Sequence, residues 1–251
     1  MSTHLIIPDP HAKYDQHNDR AEWIGKLILD IKPDVVINLG DCWDMPSLCG
    51  FEKGRSMVGK TYKADIDAGL DWNDRLWSTV KASKKRLPHR VLLEGNHEYR
   101  ITRAIDQQPH LDGTLSYSDL DVGYWYDQWV PYVGGTPGSI EIDGVHYAHY
   151  FISGVMGRSV SGEHAAYSLL TKKFVSCTQG HTHTFDFAQR TREDGRKING
   201  LVAGSCFDYQ SDWAGECQKL YWQGVVIKRN VEDGVYDLQT VSLDTLKKTY
   251  G

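Results

Sequence analysis

The chain has 251 residues, 40% of them hydrophobic and 24% charged, the size and composition of one large globular domain built on a single core. Its formal charge of -5 gives no overall attraction for polyphosphate. Nucleic-acid binding would therefore need a local basic patch or a metal-neutralised groove, and the balance favours a small or localised substrate.

The amino terminus runs straight into a strand-like segment, Leu5-Ile6-Ile7, with no basic and apolar leader before it. Two more apolar runs follow, Val35-Val36-Ile37-Asn38-Leu39 and Val91-Leu92-Leu93, with helical patterns between them. Strands alternating with helices predict βαβ units and a mostly parallel sheet. The first helix carries Trp23, Ile24, Leu27 and Ile28 on one face and should end before Pro33, which disfavours helix at the residue preceding it. The region 113–138 is rich in Tyr, Trp, Gly and Pro and reads as a structured insertion or lid. Its cluster Tyr124, Trp125, Tyr126 and Trp129 is expected in the core first and as a base-stacking surface second. Beyond Ser139 short β segments dominate, at 139–142, 145–150, 174–177, 185–189, 201–203, 224–228 and 235–241, broken by a helix around 164–170. No repeat or linker divides the chain, so one domain spanning 1–251 is expected. The five cysteines, Cys42, Cys49, Cys177, Cys206 and Cys217, are odd in number and lack Cys-x-x-Cys spacing, so they read as reduced thiols. With no apolar window of membrane-spanning length, the protein is expected to be soluble and cytoplasmic.

Each group of residues able to hold a metal falls where a predicted strand gives way to a loop, the position at which open α/β sheets build their sites. Asp9-Pro10-His11 follows the first strand, and in extended chain residues two apart share a face, so Asp9 and His11 can reach one ion. Gly40-Asp41 follows the second, with Asp44 three residues on. Gly95-Asn96-His97-Glu98 follows the third, and consecutive side chains diverge, so Asn96, His97 and Glu98 cannot all serve one ion. His149 closes a later strand, and Gly180-His181-Thr182-His183 another, with His181 and His183 again two apart. Imidazole and carboxylate ligands without thiolate suit manganese, iron or zinc better than magnesium.

Taken singly these motifs are weak, because a lone histidine is more often a satisfied structural residue. Taken in order, Asp-x-His, Gly-Asp-x-x-Asp, Gly-Asn-His-Glu, His and Gly-His-x-His resemble the signature of the calcineurin-like metallophosphoesterase superfamily, over Asp9 to His183. The resemblance implies an α/β (α+β) fold, a four-layer αββα sandwich of two mixed sheets flanked by helices. It implies two divalent ions, expected to be Mn²⁺ with iron, zinc or nickel as alternatives. The first ion would take Asp9, His11 and His183, the second Asn96, His149 and His181, with Asp41 bridging. A hydroxide shared by the ions would attack phosphorus. His97 would protonate the leaving oxygen or stabilise charge there, Asp44 would orient its ring, and Glu98 has no assigned role.

Where protein Ser/Thr phosphatases of that superfamily carry Arg-Gly after the second motif and Arg before the third, this chain has Met45, Pro46 and Glu94. The departure speaks against a protein phosphatase. Arg100, Arg103 and Arg55 are candidate substitutes for the missing phosphate-gripping arginines. The expected activity is therefore a phosphoric ester hydrolase acting on a mono- or diester, of a small nucleotide-like substrate. A metal-dependent nuclease is the alternative, and a non-catalytic scaffold the reading that an intact ligand set disfavours. Nucleic acid is not the favoured partner, no membrane partner is expected, and the oligomeric state is not legible.

Overall fold

Unbroken Val, Ile and Leu runs make strands that are buried on both faces, and three of them open the chain. In the computed structural model, which describes residues 1–83, 86–211 and 214–251, the elements in chain order are β1 (Ser2–Ile7), α1 (Asp19–Ile31), β2 (Val35–Asn38), α2 (Tyr62–Ala82), β3 (His89–Leu93), α3 (Arg100–Gln107), α4 (Val122–Trp125), β4 (Gln128–Val130), β5 (Ser139–Ile142), β6 (Val145–Ala148), β7 (Ile152–Ser153), β8 (Arg158–Ser159), α5 (Ala165–Lys173), β9 (Ser176–Gln179), β10 (Phe185–Thr191), β11 (Lys197–Ala203), β12 (Gly224–Glu232), β13 (Val235–Ser242) and α6 (Leu243–Tyr250). One sheet has the order β13-β12-β1-β2-β3-β4, and a second the order β10-β11-β9-β6-β5. In the first, β1 to β4 pair in parallel while β12 and β13 are antiparallel, so the predicted parallel start is extended by a hairpin from the far end of the chain.

The two sheets face each other. Ile6, Ile37 and Val91 of the first meet Val145, Tyr147 and Leu201 of the second in one buried cluster. The other face of the first sheet is covered by α1, α2 and α6, with Ile24, Leu27, Trp72, Leu76, Trp77 and Leu246 among the buried side chains. The outer face of the second is covered by α5 through Ala165, Ala166 and Leu169. This is the expected αββα sandwich of two mixed sheets. Helix α1 ends one residue before Lys32, which takes left-handed backbone ahead of Pro33 and donates its N–H to the Ile28 carbonyl. Helices α3 and α6 were not expected. The aromatic region 113–138 supplies the edge strand β4 and places Trp125 and Tyr126 in the core, while Tyr124 is exposed. No helix of the described residues is long and apolar enough to cross a membrane, and all five cysteines are free thiols.

Two buried charges bear on the site. Arg20 is fully buried, and its guanidinium donates to the carbonyls of Pro10 and Cys206 at 2.9 Å each, tying together two loops beside the candidate ligands. Asp65, on α2, accepts the Ser47 N–H at 2.9 Å, and burial pushes its carboxyl from the ordinary 3.8 up to about 6. A carboxyl raised on folding contributes stability that is full below the unfolded value and is lost as pH climbs through 6. The ionised form at pH 7 costs about 3 kcal/mol by that shift. Asp65→Asn should therefore gain about 2–3 kcal/mol on wild type between pH 4 and pH 7, read from urea denaturation at both. A difference that does not change with pH would contradict this.

Candidate metal centre

The strands β1, β2, β3, β6 and β9 all end on the same edge of the sandwich, and the candidate ligands occupy the first residues beyond them. The backbone there is not extended. Asp9, His11, Asp41, His181 and His183 have φ of 40°, 46°, 51°, 70° and 61°. This corrects the reason given for the two-residue spacing: each pair converges through left-handed turns, not by strand alternation. Non-glycine residues adopt that conformation at a cost, and such outliers cluster at functional sites. Hydrogen bonds hold them: the His11 N–H donates to the Asp41 carbonyl at 2.8 Å, Tyr209 Oη to the His11 carbonyl at 2.8 Å, and the His181 N–H to Asp9 Oδ2 at 2.6 Å.

Among the described residues three sets of side chains each bring one ligand atom per residue within 4.8 Å of the others: Asp9, His11 and His183; His11, Asp41 and His97; Asp41, His149 and His181. Asn96 joins the last set, with Oδ1 2.9 Å from His149 Nε2. All seven residues expected as ligands are thus brought together, and the sets share Asp41 and His11. Asp41 Oδ2 lies 3.8 Å from His11 Nε2, 3.8 Å from His97 Nε2 and 3.3 Å from His149 Nε2, between the two ends of the cluster. Its Oδ1 accepts the His97 N–H at 2.8 Å. Asp9, His11, Asp41, His149 and His183 are buried, whereas His181 and Asn96 are partly exposed on the rim.

The donor set fits a cation. His149 Nδ1 faces the Leu39 carbonyl at 2.9 Å and is fixed as a donor, which turns Nε2 toward the oxygens of Asn96 and Asp41. Those atoms are mutually repulsive unless a proton or a metal ion sits among them. Burial pushes the imidazole down, but the Asp41 charge and hydrogen bond push it further up, to about 9. For Asp41 burial works upward and the charges of His149 and His97 prevail, holding it well below the usual carboxylate range. His181 is lowered to about 4 by burial and then by His149. At the other end Asp9 Oδ1 is buried with no hydrogen-bond partner, an orphan that a bound ion would satisfy. A Cβ at Gly180 would stand 2.1 Å from that oxygen, and one at Gly95 would stand 2.1 Å from Asp41 N and Oδ1. The glycines of both motifs are therefore required for the ligands to close up.

Supporting groups depart from expectation in three places. Asp44 was expected to orient His97, yet its Oδ1 lies 2.8 Å from His11 Nδ1 and 3.3 Å from His97 Nδ1, so it braces a candidate ligand as well. The closest acceptor for His97 Nδ1 is the Asp44 carbonyl at 2.6 Å. Arg100, a candidate phosphate clamp, is buried and donates to the Asp44 and Met45 carbonyls at 2.9 Å and to His97 Nε2 at 3.0 Å. A permanent donor at Nε2 leaves the ring proton on Nδ1. Burial, against the opposing pull of Asp41 and with help from the Arg100 charge, keeps His97 below its ordinary value. Arg55 lies on an exposed turn at Gly54–Met57, and neither it nor Arg103 is among the residues lining the cavity.

Glu98, which had no assigned role, is fully buried. Its Oε2 accepts the N–H groups of Asp41 at 3.0 Å and Gly95 at 2.8 Å, and its Oε1 that of Trp43 at 2.9 Å. It stitches the second and third motif loops together. Burial and then the Asp41 charge push its carboxyl up to about 8. A carboxylate three residues after a strand-end glycine, facing two loops of free N–H groups, is a readable signal once the strands are known.

A cavity of about 340 Å³ opens on the cluster, and its lining combines Asp41, Asp44, Asn96, His97, Arg100, His181 and His183 with Pro46, Cys49, Phe51 and Glu52. No protein-family model and no curated protein matches the chain. Among solved structures, Yfce, a phosphoesterase from E. coli, is similar at 13% identity with a TM-score of 0.42, over 96% of this chain and 99% of that one.

Proposed function

We propose that the protein is a metal-dependent phosphoric ester hydrolase, in which Asp9, His11 and His183 hold one divalent ion, Asn96, His149 and His181 a second, and Asp41 both. The observation that carries this is the placement of Asp41 Oδ2 between two clusters of converging imidazole and carboxylate atoms. Ions held there would supply a water of lowered pKa and positive charge against the phosphoryl oxygens. The all-nitrogen-and-oxygen donor set favours Mn²⁺, with iron, zinc or nickel as alternatives.

The chain's own groups supply the rest. Asp44 fixes the rings of His11 and His97, and Glu98 fixes the loop that presents Asp41. His97 lines the cavity with Nε2 beside Arg100. A phosphate carrying negative charge into that corner would draw the Arg100 N–H away from Nε2 and offset its charge, so that Nε2 could take a proton from solvent water before hydrolysis and pass it to the leaving oxygen as the P–O bond breaks. The formal charge of -5 and the presence of Arg100 as the single permanent cation in the cavity's described lining support a small ester over a polyanion. The reading is tested by a panel run with Mn²⁺: an aryl phosphate, an aryl phosphodiester, cyclic nucleotides and single-stranded DNA. Turnover of the small esters with little on DNA is expected. Cleavage of DNA in preference to every small ester would establish the nuclease instead, and turnover unaffected by a chelator would sink the metal reading.

A further inference from the structure

The candidate ligands, His97, Asp44 and Arg100 make up only part of the cavity lining. The same cavity is also lined by the segment that follows the second motif, whose composition is different in kind: Pro46, Cys49 and Phe51, with Glu52 next in sequence. Its base is firmly held. The Met45 side chain is fully buried, its carbonyl accepts from Arg100, and the Ser47 N–H is anchored on Asp65. Its tip is not covered, and the Phe51 ring is 87% exposed. A large aromatic ring left in water beside a polar cluster forgoes the gain of burial unless something else covers it.

Charge narrows what that something is. Among the described residues lining the cavity the only permanent cation is Arg100, whose Nη atoms are already engaged with two carbonyls and His97. Glu52 faces Lys60, which neutralises it. The described lining therefore offers no set of lysines or arginines for a second phosphate, of the kind polyphosphate recognition uses. At about 340 Å³ the cavity has room for a phosphate and one ring, and Phe51 is the aromatic carbon ring in its described lining.

Resting on the phosphoester reading above, we propose that Phe51, backed by Pro46 and Cys49, is the specificity-determining surface. It receives a flat aromatic group on the alcohol side of an ester that carries a single phosphate. An aryl ring and a nucleobase share this chemistry. Ring-on-ring contact together with the apolar area it covers makes an aromatic ester bind about tenfold more tightly than an alkyl one of equal charge.

The test is equilibrium binding of phenylphosphonate and methylphosphonate, neither of which can be hydrolysed, to the Mn²⁺-loaded protein by calorimetry. Phenylphosphonate should bind about tenfold more tightly. Phe51→Ala should erase that advantage without changing methylphosphonate affinity or metal content, and Phe51→Trp should restore it. Because Phe51 is exposed, neither variant is expected to disturb folding. Equal affinities for the two phosphonates, or an advantage that survives in Phe51→Ala, would overturn the aromatic subsite and leave the phosphoester reading intact. Failure of the metal-loaded protein to bind either phosphonate would overturn that reading itself, and the subsite with it.

Discussion

Asp41→Asn is expected to lose both ions. Among the described residues its carboxylate is the only side chain belonging to both the His11 and the His149 ends of the cluster, so removing its charge weakens two sites at once. Losing an outer-shell partner of a metal ligand typically costs 10–100-fold in affinity. Loss of a shared ligand should exceed the top of that range, at least about 100-fold at each site. The fold should survive, since the amide oxygen can still accept the His97 N–H that Asp41 Oδ1 accepts now. Metal content by elemental analysis after Mn²⁺ loading and gel filtration, with circular dichroism as the control for folding, reads the result. A folded variant that retains wild-type metal content would exclude the bridging role.

His97→Ala should separate chemistry from metal binding. Both ring nitrogens of His97 are engaged, Nε2 with the Arg100 guanidinium at 3.0 Å and Nδ1 with the Asp44 carbonyl at 2.6 Å, so its removal should leave metal content unchanged. As a general acid it would contribute about 10²–10⁴-fold on esters of alkyl alcohols, and much less when the leaving group is already acidic, such as nitrophenolate. The deficit should therefore shrink on nitrophenyl esters. An equal loss on both classes would exclude the acid role and leave Nε2, with Arg100, as a group that positions or neutralises the phosphoryl oxygens. Asp44→Asn should not mimic His97→Ala. Because Asp44 Oδ1 also holds His11 Nδ1, that variant should lose affinity for the ion on the Asp9, His11 and His183 side as well.

What could be seen in the chain before the fold was known follows from where the information is local. The strands announce themselves as runs such as Val35-Val36-Ile37, and a Gly-Asp or Gly-Asn directly after such a run marks the sheet edge where sites form. Asp41 and Asn96 carry that mark, Asp9, His11, His149, His181 and His183 stand just beyond or at the end of other strand-like runs, and it was the order of the whole set, through its resemblance to a known family, that implied a ligand role for each. How they converge was not legible, because φ near +40° to +70° at Asp9, His11, Asp41, His181 and His183 is imposed by tertiary hydrogen bonds and not by residue type. For the same reason Asp44 seemed to serve His97 alone: that Oδ1 would stand nearer His11 depends on two loops meeting. Arg100 looked like a free cation one turn beyond a motif, but its partners are carbonyls contributed by the Asp44–Met45 loop. Glu98 is the converse case: it sits in the Gly-Asn-His-Glu motif, but its role as acceptor for the N–H groups of Asp41, Trp43 and Gly95 appears only when the second and third strand-end loops are packed side by side. The strand β4, hidden in the Tyr and Trp-rich stretch, escaped notice because aromatic residues pack equally well in a core helix, a sheet edge or a lid.

The most direct test of the central claim is the number of ions the wild-type chain holds. Protein stripped with a chelator, loaded with excess Mn²⁺ and passed through a desalting column should carry about two ions per chain by elemental analysis, with hydrolysis of an aryl phosphoester absent before loading and restored after it. One ion or none per chain, or ester hydrolysis at full rate in the stripped protein, would contradict it.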